Sequence, residues 1–228
     1  MLFLEDSYLK DFQTKLVSVT DNKIILEQTI FYAKSGGQPG DIGTLKINKE
    51  TIEIIDTIKE NNNIIHISNN KVIKTDNDSV YGKIDWDKRY KFMRMHSALH
   101  LICAVIPFGV TGGQIGYDKS RLDFDLKDQN IIKEEIEEKV NQLILENHTI
   151  DYKWITSEEL DNEPELVRTM SVKPPRTSAK IRLVKIGNVD LQPCGGTHVK
   201  NTKEIGKVSI IKLENKGKKN RRINISLG

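Results

Sequence analysis

Four residues of metal-ligand type fall in two pairs of equal spacing. His96 and His100 bracket Ser97-Ala98-Leu99, and Cys194 and His198 bracket Gly195-Gly196-Thr197. On a helix, residues four apart share a face and their side chains converge, so the first pair can offer two imidazole nitrogens to one ion. Two glycines argue against a helix for the second pair and favour a tight loop that folds its ends inward. That loop would add a thiolate and a third imidazole. A mixed thiolate and imidazole set selects zinc over magnesium or calcium, in four-coordinate tetrahedral geometry. With only five histidines and two cysteines in 228 residues, two such pairs are uncommon by chance. The first pair lacks the glutamate that a zinc protease places directly after its first histidine as general base. The two pairs lie far apart in the chain, so the site can form only inside a folded domain. Four protein ligands usually mark a structural zinc, whereas hydrolytic zinc keeps one position open, and the pattern by itself leaves both roles standing.

The remaining candidates read as structural. Cys103 follows His96 and His100 at the next helical step, but it lies in the apolar run Leu101-Ile102-Cys103-Ala104-Val105 and reads as a small buried hydrophobe. His66 sits in an apolar strand, and His148 closes a helix, where a cation suits the helix dipole. Two cysteines are too few for a disulfide scaffold.

The elements that must position these residues change character near residue 85. Before it, short segments rich in Ile and Val are bounded by Asn, Asp and Gly: 14–19, 23–29, 44–47, 51–58, 64–68 and 80–85. That is the pattern of a small β-barrel-like domain, and residues 1–87 are assigned to it. From Asp87 to Ile106 the apolar period becomes helical, with Met95, Leu99, Ile102 and Ile106 in step, and Pro107 and Gly109 end it. A second helix is expected over 129–147. A strand over 149–155 leads to Thr156-Ser157-Glu158-Glu159, a capping-box pattern that opens a short helix. Further strands are expected over 180–186, 208–213 and 222–227. Residues 88–228 are thus expected to form an α+β domain, and the whole chain belongs to the α+β class.

Composition narrows the partners. Thirty-five basic against 32 acidic residues give a net charge of +3, which permits a nucleic-acid partner without demanding one. The cations cluster between Lys216 and Arg222. No apolar run approaches the roughly 18 residues needed to cross a bilayer, so no membrane partner is expected. The start of the chain meets acids at once instead of a basic n-region, and a cytoplasmic protein is the expectation. Ser35 to Gly43 is rich in glycine but carries no Gly-Lys-Ser/Thr, so it is not a phosphate-binding P-loop and reads as a tight turn.

At its candidate ligands the sequence resembles the alanyl-tRNA editing (AlaX) family, related to the editing domain of alanyl-tRNA synthetase. Arg94-Met95-His96-Ser97-Ala98-Leu99-His100-Leu101 matches the family's H-x-x-x-H helix, and Asp190 to Val199 matches its C-G-G-T-H-V loop. The likeness continues through 202–206 and 217–223, through Ser35 to Gly43, and through Asp85 to Tyr90. It implies a β-barrel-like domain followed by an editing domain that holds Zn2+ through His96, His100, Cys194 and His198. The implied activity is zinc-dependent hydrolysis of the ester on mischarged alanine tRNA, seryl and also glycyl, without ATP. Gln114, Thr197 and Thr111 are the candidate partners for a seryl hydroxyl, and Gly36, Gly37 and Gln38 pack near the mouth of the site in this reading. Lys216, Lys218, Lys219, Arg221 and Arg222 are the candidates for tRNA phosphates, in binding that should weaken with salt. Two alternatives stand beside it: a threonyl-type editing deacylase with the same two-pair ligand pattern, and a non-catalytic RNA-binding module with a structural zinc.

Overall fold

In a computed structural model the described residues are 1–73, 79–127, 129–170, 180–217 and 219–228. They form two compact units, Met1–Lys91 and Phe92–Gly228. The class is α+β, with a closed six-stranded barrel in the N-terminal region, as the sequence predicts.

The first unit contains strands β1 (Asp11–Thr20), β2 (Lys23–Leu26), β3 (Gly43–Ile47), β4 (Glu50–Glu60), β5 (Asn63–Ser68) and β6 (Ser79–Ile84), in the order β1-β2-β5-β4-β3-β6. Every pairing is antiparallel, and β1 closes the barrel by pairing with both β2 and β6. Closure removes free edges, and alternate residues such as Phe12, Leu16, Ile24, Leu45, Ile54 and Val80 fill the interior. The β4–β5 hairpin turns on Asn61 and Asn62, at φ +47° and +67°; asparagine tolerates that left-handed region better than most residues.

The expected strand 23–29 stops at Leu26. Beyond it the apolar run Ile30-Phe31-Tyr32-Ala33 is buried without joining the barrel ladder. Its amides find side-chain acceptors instead: Phe31 N–H donates to Thr29 Oγ1 (3.0 Å) and Tyr32 N–H to Asp41 Oδ2 (2.6 Å). Arg89 is fully buried and holds Asp41 through both carboxylate oxygens. It also donates to Ser7 O (3.0 Å) and Ile30 O (2.6 Å), so its charge is both paired and hydrogen-bonded.

Helix α1 (Trp86–Val105) begins in the first unit and continues into the second. From Phe92 onward it is buried almost all round, with Met93, Met95, Ala98, Leu101 and Ile102 fully covered. A helix without a wet face is a core helix. In the second unit β7 (Gly109–Gln114), β8 (Ser120–Asp125), β12 (Val208–Asn215) and β13 (Asn220–Leu227) form a sheet in the order β12-β13-β8-β7. A second sheet, β11-β10-β9, comprises β9 (Ile150–Thr156), β10 (Lys180–Ile186) and β11 (Asp190–Pro193).

Helix α2 (Lys133–Leu145) starts later than the expected Gln129, because Ile132 is extended (φ −103°, ψ 122°) and acts as its N-cap. Helix α3 (Ser157–Asn162) carries the expected capping box: Glu159 N–H donates to Thr156 Oγ1 (3.1 Å) and Thr156 N–H to Glu159 Oε2 (2.6 Å). Strands β7, β8 and β11 were not expected. In β7, Gly112-Gly113 hides any alternation, and β11 is only four residues long.

Candidate metal centre

The two predicted pairs come together. Helix α1 presents His96 and His100 one turn apart, and the loop after β11 returns Cys194 and His198 to the same place. One donor atom from each of the four lies within 4.8 Å of every other. Cys194 Sγ is 3.5 Å from His96 Nε2 and 3.4 Å from His198 Nε2. With Zn–S near 2.3 Å and Zn–N near 2.05 Å, tetrahedral coordination puts sulfur and nitrogen about 3.5 Å apart. The spacing and the donor chemistry therefore fit a zinc-sized tetrahedral ion. The three imidazoles pack at centroid distances of 5.3, 4.3 and 4.6 Å.

The surrounding groups prepare these donors. Asp190 Oδ2 lies 3.1 Å from His100 Nδ1, and a carboxylate can only accept, so Nδ1 carries the proton and Nε2 is left for the cluster. Ser97 Oγ accepts from Val199 N–H (3.2 Å) and lies 3.4 Å from His198 Nδ1, which leaves His198 Nε2 facing Cys194. Burial pushes the Cys194 thiol up, but the His96 and His198 imidazoles beside it outweigh that and hold it well below the ordinary thiol value. His198 is held well below the ordinary imidazole value, by burial first and by the nearby His96. His100 is buried too, yet its bonds to Asp190 and Cys194 raise it to about 9. A thiol disposed to ionise and a neutral imidazole are the forms a metal takes.

Arg182, from the middle strand β10, fixes the loop. Its Nε donates to Cys194 O (3.0 Å), its Nη2 donates to Gly196 O, and Cys194 N–H donates back to Arg182 O (3.0 Å). Tyr152 on β9 stacks against the guanidinium, 4.2 Å from ring centroid to Cζ. Of the four donors only Cys194 is half-buried; the histidines are buried. Beside it Gly195 is exposed, and a Cβ there would meet nothing within 4 Å. Solvent therefore reaches the cluster from the Cys194–Gly195 side.

Cys103 stays outside the four-donor group. Burial and the Asp190 charge push its thiol up to about 12, and it bonds the Gln192 side chain, so it is a protonated core residue. His66 is also structural: its Nε2 lies 2.9 Å from Thr29 Oγ1 and its Nδ1 3.1 Å from Ile24 O. His148 Nε2 meets Glu146 Oε2 at 2.7 Å.

The other predicted residues are scattered. Thr197 is fully buried within the loop of Cys194 and His198. Thr111 is the bulged residue of β7, and its hydroxyl lies 3.2 Å from Asp123 O and 3.3 Å from Asn220 Oδ1. Gln114 is exposed at the end of β7, with Oε1 accepting from Arg121 Nε (3.3 Å), beside a shallow surface depression that also involves Tyr117 and Asn224. Gly36 (φ +54°) and Gly37 (φ +82°) form the corner of a tight turn closed by Ser35 and the fully buried Gln38, all in the first unit. Lys216 and Lys219 are exposed at the tip of the β12–β13 hairpin; Lys218 lies outside the described residues. Arg221 donates to Gly217 O and Asn220 O, while the Arg222 guanidinium is forked onto both oxygens of Asp123 (2.7 and 2.9 Å).

Asp190, Gln192, Ser97 and Arg182 escaped the sequence reading. A usable signal existed for the first two: Asp190 and Gln192 alternate across Leu191 just before Cys194, so a strand there aims both polar side chains to one face.

A protein-family model described as "Threonyl and Alanyl tRNA synthetase second additional domain" matches residues 181–224, and one described as "tRNA synthetases class II (A)" matches 4–88. The chain is similar to alanyl-tRNA editing protein AlaX-M of Methanosarcina acetivorans, 38% identical over 240 residues that cover 100% of this chain and 98% of the relative. It is 36% identical to AlaX-M of Saccharolobus solfataricus over 228 residues, covering 97% of this chain and 96% of the relative. It is also 35% identical over 223 residues to alanine–tRNA ligase of Sulfurisphaera tokodaii, covering 93% of this chain but 24% of that enzyme.

Proposed function

This chain belongs to the alanyl-tRNA editing proteins, and from that membership we propose that it is a trans-acting deacylase that hydrolyses the ester of mischarged alanine tRNA, seryl and also glycyl. The observation that carries the reading is the four-donor cluster, with Cys194 half-buried beside the exposed Gly195, in a chain whose full-length relatives are named for alanyl-tRNA editing. The ligase relative matches over a quarter of its own length, which supports a domain that works both within the charging enzyme and by itself. The editing chemistry belongs in the cytoplasm, where tRNA is charged; among the described residues no helix is long and apolar enough to cross a membrane.

His96, His100, Cys194 and His198 would hold Zn2+, which supplies Lewis acidity toward a carbonyl oxygen or a water. The chain's own residues do the rest. The ester enters at the Cys194–Gly195 side, where Gly195 leaves room for the terminal ribose. Water adds to the ester carbonyl, the bond to the ribose oxygen breaks, and the proton lost by the water ends on that ribose oxygen. Ser97 keeps the His198 ring turned toward the cluster, and Arg182 keeps the loop carbonyls from swinging into the entrance.

Selectivity follows from what a charging site cannot do. A pocket shaped for a methyl group rejects an added hydroxyl poorly, so a second site must use that hydroxyl as its handle. Thr111, Thr197 and Gln114 are the candidate partners, and alanine, with no hydroxyl, would forgo the bond that serine makes to them. Lys216, Lys218, Lys219, Arg221 and Arg222 are assigned to tRNA phosphates. Within that basic set the exposed Lys216 and Lys219 suit the task better than Arg222, which is already occupied by Asp123.

The deciding experiment incubates the purified chain with serine-charged, glycine-charged and alanine-charged alanine tRNA. Serine is expected to be released with alanine largely retained, and a chelator or Cys194→Ala is expected to abolish release. Serine release unchanged by both would reject the metal-site mechanism. Loss of no amino acid, with tRNA still bound, would favour a binding module with a structural zinc. The threonyl-type alternative draws on the family description that names both synthetases, and serine-charged threonine tRNA in the same assay separates it.

A further inference from the structure

Behind His100, on the side away from the other donors, lies a buried carboxylate with unusual company. Asp190 starts strand β11, its side chain is fully covered, and Oδ2 accepts from His100 Nδ1 at 3.1 Å and from Gln192 Nε2 at 2.7 Å. Oδ1 has no hydrogen-bond partner among the described residues; the nearest cation, Arg168, stands 3.7 Å from it, while Arg168 Nη1 is spent on Cys103 O. A buried carboxylate with one oxygen unsatisfied costs stability, and a neutral side chain would fill the space at less cost. The arrangement makes sense through His100. An imidazole has two nitrogens, and whichever carries the proton cannot donate its lone pair. A fixed carboxylate at Nδ1 settles the question, and it holds the ring plane as well.

We propose that Asp190 is a positioning residue for the metal centre: by accepting from His100 Nδ1 it fixes that ring's tautomer and orientation, so that Nε2 is the atom turned toward Cys194. Gln192 and Arg168 position the carboxylate in turn, Gln192 by its hydrogen bond and Arg168 by its charge. Asp190 is covered and does not reach the solvent side at Cys194–Gly195, so it acts through His100 and not on substrate.

The inference rests on the metal reading of the four-donor cluster. It is tested on the full chain with Asp190→Asn, which keeps the shape and one acceptor, and Asp190→Ala, which removes both. Zinc affinity is read by competition with a chromophoric chelator, and site geometry by the visible spectrum of the cobalt(II) form. Weakening of about tenfold is expected for Asn and about a hundredfold for Ala, with altered cobalt bands. At saturating zinc, kcat for serine release is expected to fall while KM stays unchanged. Zinc affinity and cobalt spectra within twofold of the parent in the Asn and Ala variants would overturn the inference; if the Ala variant does not fold, the Asn variant decides. A parent chain that binds no zinc would remove the inference and the metal reading together. A parent that binds zinc but releases no serine, with graded loss of zinc in the variants, would support the inference and reject the deacylase reading.

Discussion

Ser97 follows His96 on α1; its hydroxyl oxygen accepts from the Val199 amide at 3.2 Å and lies 3.4 Å from His198 Nδ1. Both Ser97 and Val199 are buried, so Ser97→Ala leaves an amide hydrogen with no acceptor and no water. The expected cost is about 1 to 3 kcal/mol of unfolding free energy. Urea titration followed by Trp154, the tryptophan of the second unit, measures it, and an unchanged midpoint would show that water enters the gap. The four donors themselves were legible from type and spacing, because a helix makes a fixed step of four residues meaningful. Their supporting residues were not. A serine between two histidines and an aspartate before a loop are common in any sequence, and only the coordinates pair Ser97 with a ring a hundred residues away.

At the scale of elements, the loop from Cys194 to His198 is shaped by a strand that was legible and a side chain that was not. The spacing of Lys180 to Ile186 predicts β10 with its bounds, yet nothing in that pattern marks Arg182 as the residue that ties down two loop carbonyls. Lysine carries its three donors on one nitrogen and lacks the planar fork by which Nε and Nη2 of Arg182 reach the two carbonyls separately. Arg182→Lys should therefore loosen the loop and speed zinc release to a chelator severalfold, with a loss of about 2 kcal/mol in stability. A release rate equal to the parent's would place the loop's order elsewhere. The missed strand β7 has a physical cause. β7 spends its middle on Gly112-Gly113 and a bulge at Thr111, so it lacks the period of two by which a strand is recognised. The early end of β2 has the opposite origin: apolar residues past Leu26 look like strand, but Thr29 and Asp41 capture their amides.

For the molecule as a whole, acid should destabilise the barrel unit through a buried histidine. His66 is buried there between Thr29 and Ile24, and burial lowers its pKa to about 4 from an ordinary 6.5. Between these values the unfolded chain binds a proton that the folded chain refuses, so stability rises with pH. The contribution is complete above pH 6.5, shrinks as pH falls, and is gone below about 4, a swing of about 3 kcal/mol. His66→Gln, which can keep both hydrogen bonds, should flatten the curve by that amount. Trp86 fluorescence in a Trp154→Phe background reports this unit alone, and equal pH slopes in parent and variant would mean that other groups carry the acid response. The division of the donor set between residues 96–100 and 194–198 has a consequence for biosynthesis. While the chain is leaving the ribosome, its first two imidazoles wait without Cys194 and His198, so the four-donor set cannot close on an ion until residues 194–198 have emerged. Uptake of an ion by this set would then be a late event in the life of each molecule, and a chain truncated before residue 194 would lack half of the donors.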